Sequence, residues 1–296
     1  MKLHGLVAAT HTPFHSDGSL APEVVPVQAS HLAKNGIKSV FITGSTGEGH
    51  SLTQQERHSM FKAWAQAGPS HDLTVVAHVG SNCLEDAKIL ATTAADLGLD
   101  AIAMLAPSYY KPGNLDELIE CCAHVAAAAP HLPFYYYDIP VLTGVCFSMP
   151  EFLAVAAARI PNLAGIKFTN DNLEEFTTCL TMGSHDIPWG IDEKILDALK
   201  VGAKGAVGSS YNFAAPLYHK LIAAFEAGDL DTASRLQQQA VSLIEAVAEI
   251  GYLGAAKQVM DWQGVPLGPA RLPVRTPSAA QLEALRAKIE SPILQP

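Results

Sequence analysis

Hydrophobic positions along the chain fall into short, nearly continuous runs that alternate with longer segments of helical pattern. Short runs that are apolar at almost every position are typical of parallel strands buried on both faces. The strand candidates are HGLVAAT, SVFITG, TVVAHVG, AIAMLAP, PFYYYDIP, LAGIKFT, IPWGID and GAVGSS. Helical patterns separate them, such as VVPVQASHLAKNG, QERHSMFKAWAQAG, LEDAKILATTAADLG and LDELIECCAHVAAAA.

This alternation predicts an α/β fold in the form of a (β/α)₈ barrel. Alternating strands and helices give a parallel sheet with crossover helices. Roughly eight such units precede residue 226, and a barrel of this kind takes about 250 residues. A doubly wound sheet stays open as the alternative, although no G-x-G-x-x-G follows the first strand to support a dinucleotide fold.

The strand pattern stops after Asp229, and the remaining segments read as helices. These segments are LDTASRLQQQAVSLIEAVAEIG, LGAAKQVMDWQG and SAAQLEALRAKIE, with the Pro-rich VPLGPARLPVRTP as an extended link between the last two. We therefore expect two parts. Residues 1–226 form the barrel that carries the active site, and residues 227–296 form a C-terminal helical extension packed on it.

Composition narrows the class of protein. Of the 296 residues, 49% are hydrophobic and 16% are charged, which permits a sizeable core and argues against disorder. The net charge of -10, with no basic tract, makes nucleic acid and anionic membranes poor partners. Five cysteines without a C-x-x-C argue against a disulfide framework or a zinc site. With no signal-peptide or membrane-span pattern, we expect a cytoplasmic protein.

Polar side chains collect at the carboxyl ends of the predicted strands, where barrels of this type form their active sites. The set comprises Thr10, Thr12, Ser45, Thr46, Tyr109, Tyr110, Tyr137, Asp138, Lys167, Thr169, Asp192, Glu193, Ser209 and Ser210. The 12 histidines, His78 among them, form no ligand pair and are interpreted as core or surface residues. We expect neither a metal nor a phosphate-binding loop.

Lys167 stands out because it lies in an otherwise apolar strand, LAGIKFTN. Burial lowers the pKa of a lysine amine from its usual ~10.4. A neutral amine can attack a ketone, and the protonated imine that forms is an electron sink. The alternative is a structural ion pair within the barrel. Hydroxyl groups at the neighbouring strand ends favour the Schiff-base interpretation.

The segment GSTGE connects a predicted strand to a helix and suits the binding of a carboxylate. Its glycines let the backbone approach a ligand closely, and consecutive N–H groups can bind an anion together with the hydroxyls of Ser45 and Thr46. Such a site supplies positive potential without an arginine. The alternative is a tight turn with serine or threonine capping the helix.

Three consecutive tyrosines occur in FYYYDIP. Strand alternation sends Tyr135 and Tyr137 to one face and Tyr136 to the other. Tyr137 is nearest the strand's end, so its phenol can point into the barrel mouth and move a proton. Most tyrosines in such runs are packing residues, which is the alternative interpretation.

The motifs GSTGEG, PFYYYDIPVLTGV, GIKFT, WGIDE and GAVGSSYN stand in the order and spacing of a known family. From about Leu6 to about Pro273 the chain resembles the N-acetylneuraminate lyase subfamily of the class I aldolases, which include dihydrodipicolinate synthase. GPARLP near the end also looks like the lyase pattern. The resemblance implies a (β/α)₈ barrel with a helical extension, a homotetramer, and neither metal nor organic cofactor. It implies reversible aldol cleavage of a sialic acid to pyruvate and an N-acetylated amino sugar.

The same resemblance suggests roles for individual residues. Lys167 matches the Schiff-base lysine and Tyr137 the proton-transferring tyrosine. Ser45 and Thr46 match the carboxylate-binding pair, and Tyr109 matches a tyrosine that completes a hydroxyl relay from a neighbouring subunit. Positions that bind the sugar chain in the lyases correspond to Thr169, Gly190, Asp192, Glu193 and Ser209.

Two departures from the family pattern bear on the substrate. Asp138 stands where asparagine or histidine is common, and a carboxylate beside the site could alter its electrostatics. No arginine follows DIPVLTGV, whereas the synthases use one to bind a second carboxylate. The alternatives are an aldolase or dehydratase for another 2-keto-3-deoxy sugar acid, and a synthase-like condensation. A binding protein without activity is disfavoured by the intact Lys167 and Tyr137.

Overall fold

The computed structural model describes residues 2–289, and the strands in that range form one parallel sheet. In chain order they are β1 (Gly5–Ala9), β2 (Ser39–Ile42), β3 (Thr74–His78), β4 (Ala101–Leu105), β5 (Phe134–Asp138), β6 (Leu163–Phe168) and β7 (Gly205–Gly208). The order across the sheet is β6-β5-β4-β3-β2-β1-β7. Sequential neighbours joined by crossover connections are the arrangement of a (β/α)₈ barrel, as predicted.

The predicted strand IPWGID closes the barrel without forming a full strand. Trp189 makes single bridges to Phe168 on β6 and to Ala206 on β7. Its N–H donates to Gly205 O at 2.9 Å, and its carbonyl accepts from Val207 N at 2.7 Å. Pro188 has no N–H to donate, so regular pairing stops beside it. The prediction of eight full strands is therefore wrong at this one segment, although the barrel is nearly closed.

Helices follow the strands around the outside of the sheet. The helices of the barrel are α1 (Val25–Lys34), α2 (Gln54–Ala67), α3 (Leu84–Asp96), α4 (Leu115–Ala126), α5 (Pro140–Thr143), α6 (Met149–Arg159), α7 (Leu173–Thr181), α8 (Ile195–Lys200) and α9 (Tyr211–Glu226). Short 3-10 turns lie at Pro22–Val24, Gly49–Ser51, Pro69–His71 and Asp192–Lys194.

Side-chain caps explain where several of these helices begin. Thr53 and Glu56 form a reciprocal capping box at the start of α2, with Glu56 N 3.2 Å from Thr53 Oγ1 and Thr53 N 2.9 Å from Glu56 Oε2. The side chain of Asn114 accepts from Glu117 N at the start of α4. These bonds satisfy backbone donors that the first helical turn leaves free.

Up to residue 289, three further helices follow the barrel: α10 (Leu230–Ala248), α11 (Tyr252–Trp262) and α12 (Ala279–Ile289). α10 packs along α9, and α11 packs against both. The last predicted helix ends at Glu290, which lies outside the described residues, as do Met1 and residues 291–296 of the predicted extension. No helix in residues 2–289 has the length and apolarity needed to cross a membrane.

Apolar side chains form two layers that explain the continuous hydrophobic runs. One layer fills the barrel interior and includes Val7, Phe41, Val76, Tyr135 and Tyr137. The other lies between the strands and the helices and contains Tyr136 packed on Phe152, with ring centroids 4.9 Å apart. The predicted alternation of the three tyrosines is therefore confirmed.

Candidate active site

Lys167 and Tyr137 lie directly opposite each other on the paired strands β6 and β5. The Lys167 Nζ lies 3.8 Å from the centroid of the Tyr137 ring and 4.4 Å from that of Phe41. The lysine is only 4% exposed. Within residues 2–289 its amine makes no ion pair and no hydrogen bond, so a structural ion pair does not explain its burial. The aromatic faces attract the protonated form without an ion pair or hydrogen bond, so after deprotonation the nitrogen lone pair is free to react.

The loop after β2 brings Ser45 to the same place. Ser45 Oγ lies 3.5 Å from the Tyr137 hydroxyl. The loop is closed by a hydrogen bond from Glu48 N to Ser45 O at 3.1 Å and by another from Gly49 N to Gly44 O at 3.0 Å. Thr12 Oγ1 donates to Gly47 O at 2.6 Å from the neighbouring strand end. The GSTGE segment is thus a compact turn that faces the lysine and the tyrosine.

His78 supports this loop from inside the barrel. Its Nδ1 lies 3.2 Å from Thr43 O, and Thr43 Oγ1 donates to His78 O at 3.0 Å. The imidazole meets the Tyr137 ring edge-on, with centroids 6.0 Å apart. Burial lowers its pKa well below the usual range, and the nearby Arg57 cation lowers it further. His78 is therefore a neutral core residue beneath the site.

Asp192 supplies a buried carboxylate beside the carboxyl end of β7. Asp192 Oδ2 accepts hydrogen bonds from Ser210 N at 2.8 Å and from Ser210 Oγ at 2.5 Å. A side chain at Gly208 would collide with this carboxylate, so glycine is required there. Burial raises the pKa of Asp192 to about 6, while the Ser210 hydrogen bonds oppose the rise. The carboxylate therefore remains a charged acceptor at neutral pH.

The other residues predicted to bind a sugar chain surround Asp192. Gly190 lies against the Thr169 hydroxyl, where a Cβ would not fit. Thr169 Oγ1 is buried without a hydrogen-bond partner in residues 2–289. Ser209 Oγ lies 2.8 Å from the Tyr252 hydroxyl, and Glu193 is exposed. The arrangement offers hydroxyl and carboxylate groups to a polyol.

Tyr109 is the predicted catalytic residue that the single chain does not bring to the site. It is 78% exposed, and its neighbour Tyr110 is 85% exposed. The two rings meet edge-on with centroids 5.0 Å apart. The backbone N–H of Tyr109 donates to Asn82 Oδ1 at 3.0 Å, which anchors the loop that carries the two tyrosines. Such an exposed aromatic pair is available to a second chain.

Asp138 does not face the barrel mouth, so the expectation that its carboxylate lies beside the site is wrong. Strand alternation places it on the side of Tyr136, towards the helices, although Tyr137 is adjacent in the chain. It is buried and its Oδ2 has no hydrogen-bond partner in the described chain. Burial raises its pKa to about 7; Glu175 adds to the rise, and a hydrogen bond to Asn170 opposes it. Its effect on the site is therefore indirect.

Two contributions from the C-terminal helices were missed by the sequence reasoning. Tyr252, at the start of α11, reaches Ser209, and Lys257, on the same helix, forms a buried ion pair with Glu48 of the GSTGE loop. Glu48 belongs to the GSTGE motif, but its partner lies 209 residues away in the chain. No local pattern marks such a pairing. In residues 2–289 no group of three or more histidine, cysteine, aspartate or glutamate side chains could hold a metal ion.

Comparison with known proteins shows that the chain is similar to one protein family and to several N-acetylneuraminate lyases. The dihydrodipicolinate synthetase family matches residues 2–291. N-acetylneuraminate lyase A of Xenopus laevis is 40% identical over 277 residues, covering 92% of this chain and 91% of that protein. The human N-acetylneuraminate lyase is 38% identical and covers 98% of this chain and 92% of its own. The solved structure of the Proteus mirabilis N-acetylneuraminate lyase is 37% identical, with a TM-score of 0.96 over 100% of both chains.

Proposed function

The chain belongs to the dihydrodipicolinate synthetase family, and we propose that within it the chain is a class I aldolase that cleaves N-acetylneuraminate reversibly to pyruvate and N-acetylmannosamine. The observation that carries this function is the buried Lys167 amine, which makes no hydrogen bond or ion pair within residues 2–289 and lies 3.8 Å from the centre of the Tyr137 ring. Relatives that are 37–40% identical and cover 92–100% of the chain are N-acetylneuraminate lyases, which supports the same substrate.

The reaction begins with a Schiff base on Lys167. The neutral amine attacks the C2 ketone of the open-chain sugar acid, and loss of water gives a protonated imine. Ser45, Thr46 and the backbone N–H groups of their loop hold the substrate carboxylate, which orients the ketone towards the amine. No cofactor is needed, because the iminium itself withdraws electrons from the C3–C4 bond.

Tyr137 moves the proton that carbon–carbon cleavage requires. Its phenolic oxygen accepts the proton of the C4 hydroxyl as the C3–C4 bond breaks, and its own proton passes into a relay through Ser45. The 3.5 Å separation between Ser45 Oγ and Tyr137 OH supports this relay. The electrons of the broken bond form an enamine on Lys167. Protonation and hydrolysis of that enamine release pyruvate and restore the amine.

The sugar chain binds on the Asp192 side of the mouth. Asp192 and Glu193 accept hydrogen bonds from hydroxyl groups, and charge-assisted bonds of this kind suit a neutral polyol chain. The Thr169 hydroxyl, which has no hydrogen-bond partner in residues 2–289, and the Ser209 hydroxyl supply further contacts beside Gly190. A shorter acid would leave some of these groups without partners.

The assembly is part of the proposal. The exposed Tyr109 would complete the relay in a neighbouring chain, so we infer that the active enzyme is an oligomer, and the family resemblance implies a homotetramer. The acidic net charge of -10 supports a small-molecule substrate with neither nucleic acid nor membrane as partner. We also propose a cytoplasmic location, and residues 227–296 as an extension of the barrel formed by residues 1–226.

Purified protein supplied with N-acetylneuraminate tests this function. Release of pyruvate, followed by coupled reduction with lactate dehydrogenase, is the expected result. Aspartate semialdehyde with pyruvate should give little condensation, because no arginine follows DIPVLTGV to bind a second carboxylate. Preference for the semialdehyde, or for 2-keto-3-deoxygluconate over the nine-carbon acid, would move the chain to another activity of the same scaffold.

A further inference from the structure

The loop that carries Ser45 and Thr46 is held in a conformation that its own sequence does not favour. Glu48 has φ of 52°, in the left-handed region that side-chain-bearing residues seldom adopt, and Thr43 at the other end has the same value. Residues in such conformations persist only where the surroundings hold them. The groups that hold Glu48 therefore help to determine where the two hydroxyls lie.

Those groups come from the C-terminal part of the chain. Lys257 Nζ on α11 donates to Glu48 Oε1 at 3.1 Å, and the backbone N–H of Arg271 donates to Glu48 Oε2 at 2.8 Å. The lysine and glutamate side chains are 0% and 1% exposed. Each carboxylate oxygen of Glu48 thus has a donor from beyond the barrel. The backbone N–H of Glu48 in turn closes the loop by donating to Ser45 O at 3.1 Å.

Lys257 links three segments at once. Besides Glu48, its amine donates to Thr12 O at 2.8 Å and to Pro269 O at 2.6 Å, so all three of its donors are used. Thr12 in turn donates through Oγ1 to Gly47 O, next to Glu48. Burial lowers the pKa of Lys257 to about 8, and the Glu48 carboxylate opposes that fall. The cation therefore persists at neutral pH.

A buried ion pair of this kind is a poor means of gaining stability. Desolvation of both charges offsets most of their attraction, and apolar residues of similar volume often serve as well. The pair instead restrains geometry, because each donor and acceptor must meet its partner at a fixed distance. Here it restrains the position of the loop that faces Lys167 and Tyr137.

We propose that Lys257 is a positioning residue, which through Glu48 fixes the Ser45–Thr46 loop for the substrate carboxylate. The C-terminal helices are then part of the catalytic apparatus. This inference rests on the proposed function, since it assumes that the loop binds the carboxylate of pyruvate. Lys257 itself does not touch the substrate.

The test measures how borohydride trapping of pyruvate on the enzyme depends on pyruvate concentration. Lys257→Met should raise the half-saturating pyruvate concentration by roughly tenfold or more, because the loop groups that bind the carboxylate are no longer held in place. The maximal trapping rate should change much less. Lys257→Arg keeps the cation and should recover part of the affinity. Met260→Ala, a buried change on the same helix, controls for loss of packing alone and should leave half-saturation unchanged.

A double variant keeps the test decisive if the unpaired Glu48 prevents folding. Glu48→Gln with Lys257→Met removes both charges and should recover thermal stability relative to Lys257→Met. Its half-saturating pyruvate concentration should stay raised, because the loop is no longer fixed. Wild-type affinity in either folded variant would overturn the positioning role. Absence of trapping in the wild-type protein would instead refute the proposed function, so the two failures are distinguishable.

Discussion

The amine of Lys167 lies 3.8 Å from the centre of the Tyr137 ring, and the two residues pair across adjacent parallel strands. Because their side chains enter the barrel from the same level, a substrate carbon attached to the lysine comes within reach of the phenol. The register between β5 and β6 therefore sets the geometry of catalysis, and removal of either group should affect a different step.

Tyr137→Phe should slow turnover far more than it weakens binding. General acid–base groups contribute ~10²–10⁴-fold, or about 3–5 kcal/mol at the barrier. Imine formation with pyruvate should survive in part, as measured by borohydride trapping beside the steady-state rate. Tyr135→Phe is the matched control, because Tyr135 is on the same face of the strand but donates to Asp186 at 2.9 Å. Near-normal turnover in Tyr137→Phe would remove this residue from the proton path.

Asp192→Ala should impair cleavage of the nine-carbon acid more than that of a short 2-keto-3-deoxy sugar acid. The long substrate loses an acceptor for its hydroxyls, and an unpaired buried polar group costs ~1–3 kcal/mol, or roughly 5- to 150-fold. The short substrate serves as the internal control for general damage to the mouth. The measurement is the ratio of kcat/KM for the two substrates. An unchanged ratio would place the sugar chain elsewhere.

Asp138→Asn should stabilise the protein above neutral pH. The folded pKa of about 7 exceeds the usual 3.8, so the folded state binds more protons between those values and wild-type stability falls as pH rises through that window. Asparagine mimics the protonated form and should raise the free energy of unfolding at pH 8 by roughly 2–4 kcal/mol, with little gain at pH 4. Thermal melts at both pH values check this. Equal gains at both would mean that titration of Asp138 is not the cause.

Treatment with EDTA should leave wild-type turnover unchanged. Every step of the proposed chemistry uses an amine, a phenol or a hydroxyl, and none requires a Lewis acid. Activity is compared before and after dialysis against the chelator, with added Mg²⁺ or Zn²⁺ as the reverse test. Strong inhibition that metal restores would contradict a metal-independent mechanism.

The proximity of Lys167, Tyr137 and Ser45 could be predicted from the sequence, because parallel strands bring their carboxyl ends to one rim. Lys167, Tyr137 and Ser45 each follow or end an apolar run, so their convergence follows from the alternation of strands and helices alone. Strand parity also gives the direction of Tyr136. The same parity, applied to Asp138, would have placed it with the helices rather than beside the site.

Contacts with the C-terminal helices lie beyond such reasoning. Lys257 and Tyr252 belong to a helix whose position on the barrel depends on packing over its whole length, and no spacing rule relates them to Glu48 or Ser209. Within residues 2–289 the ring of Tyr109 contacts Tyr110 rather than Lys167 or Tyr137, so the site it would complete is not one that a single chain reveals. The segment around Trp189 pairs through single bridges because Pro188 interrupts the hydrogen-bond ladder. The apolar pattern of this segment does not distinguish single bridges from a full strand.

Covalent trapping is the most direct test of the chemistry proposed for Lys167. Borohydride added together with pyruvate should reduce the imine to a stable adduct and abolish activity, and peptide mapping should find that adduct on Lys167. Lys167→Arg, which keeps a cation but has no amine of comparable nucleophilicity, should yield none. An adduct on another lysine, or full activity after the treatment, would contradict a Schiff-base mechanism at this residue.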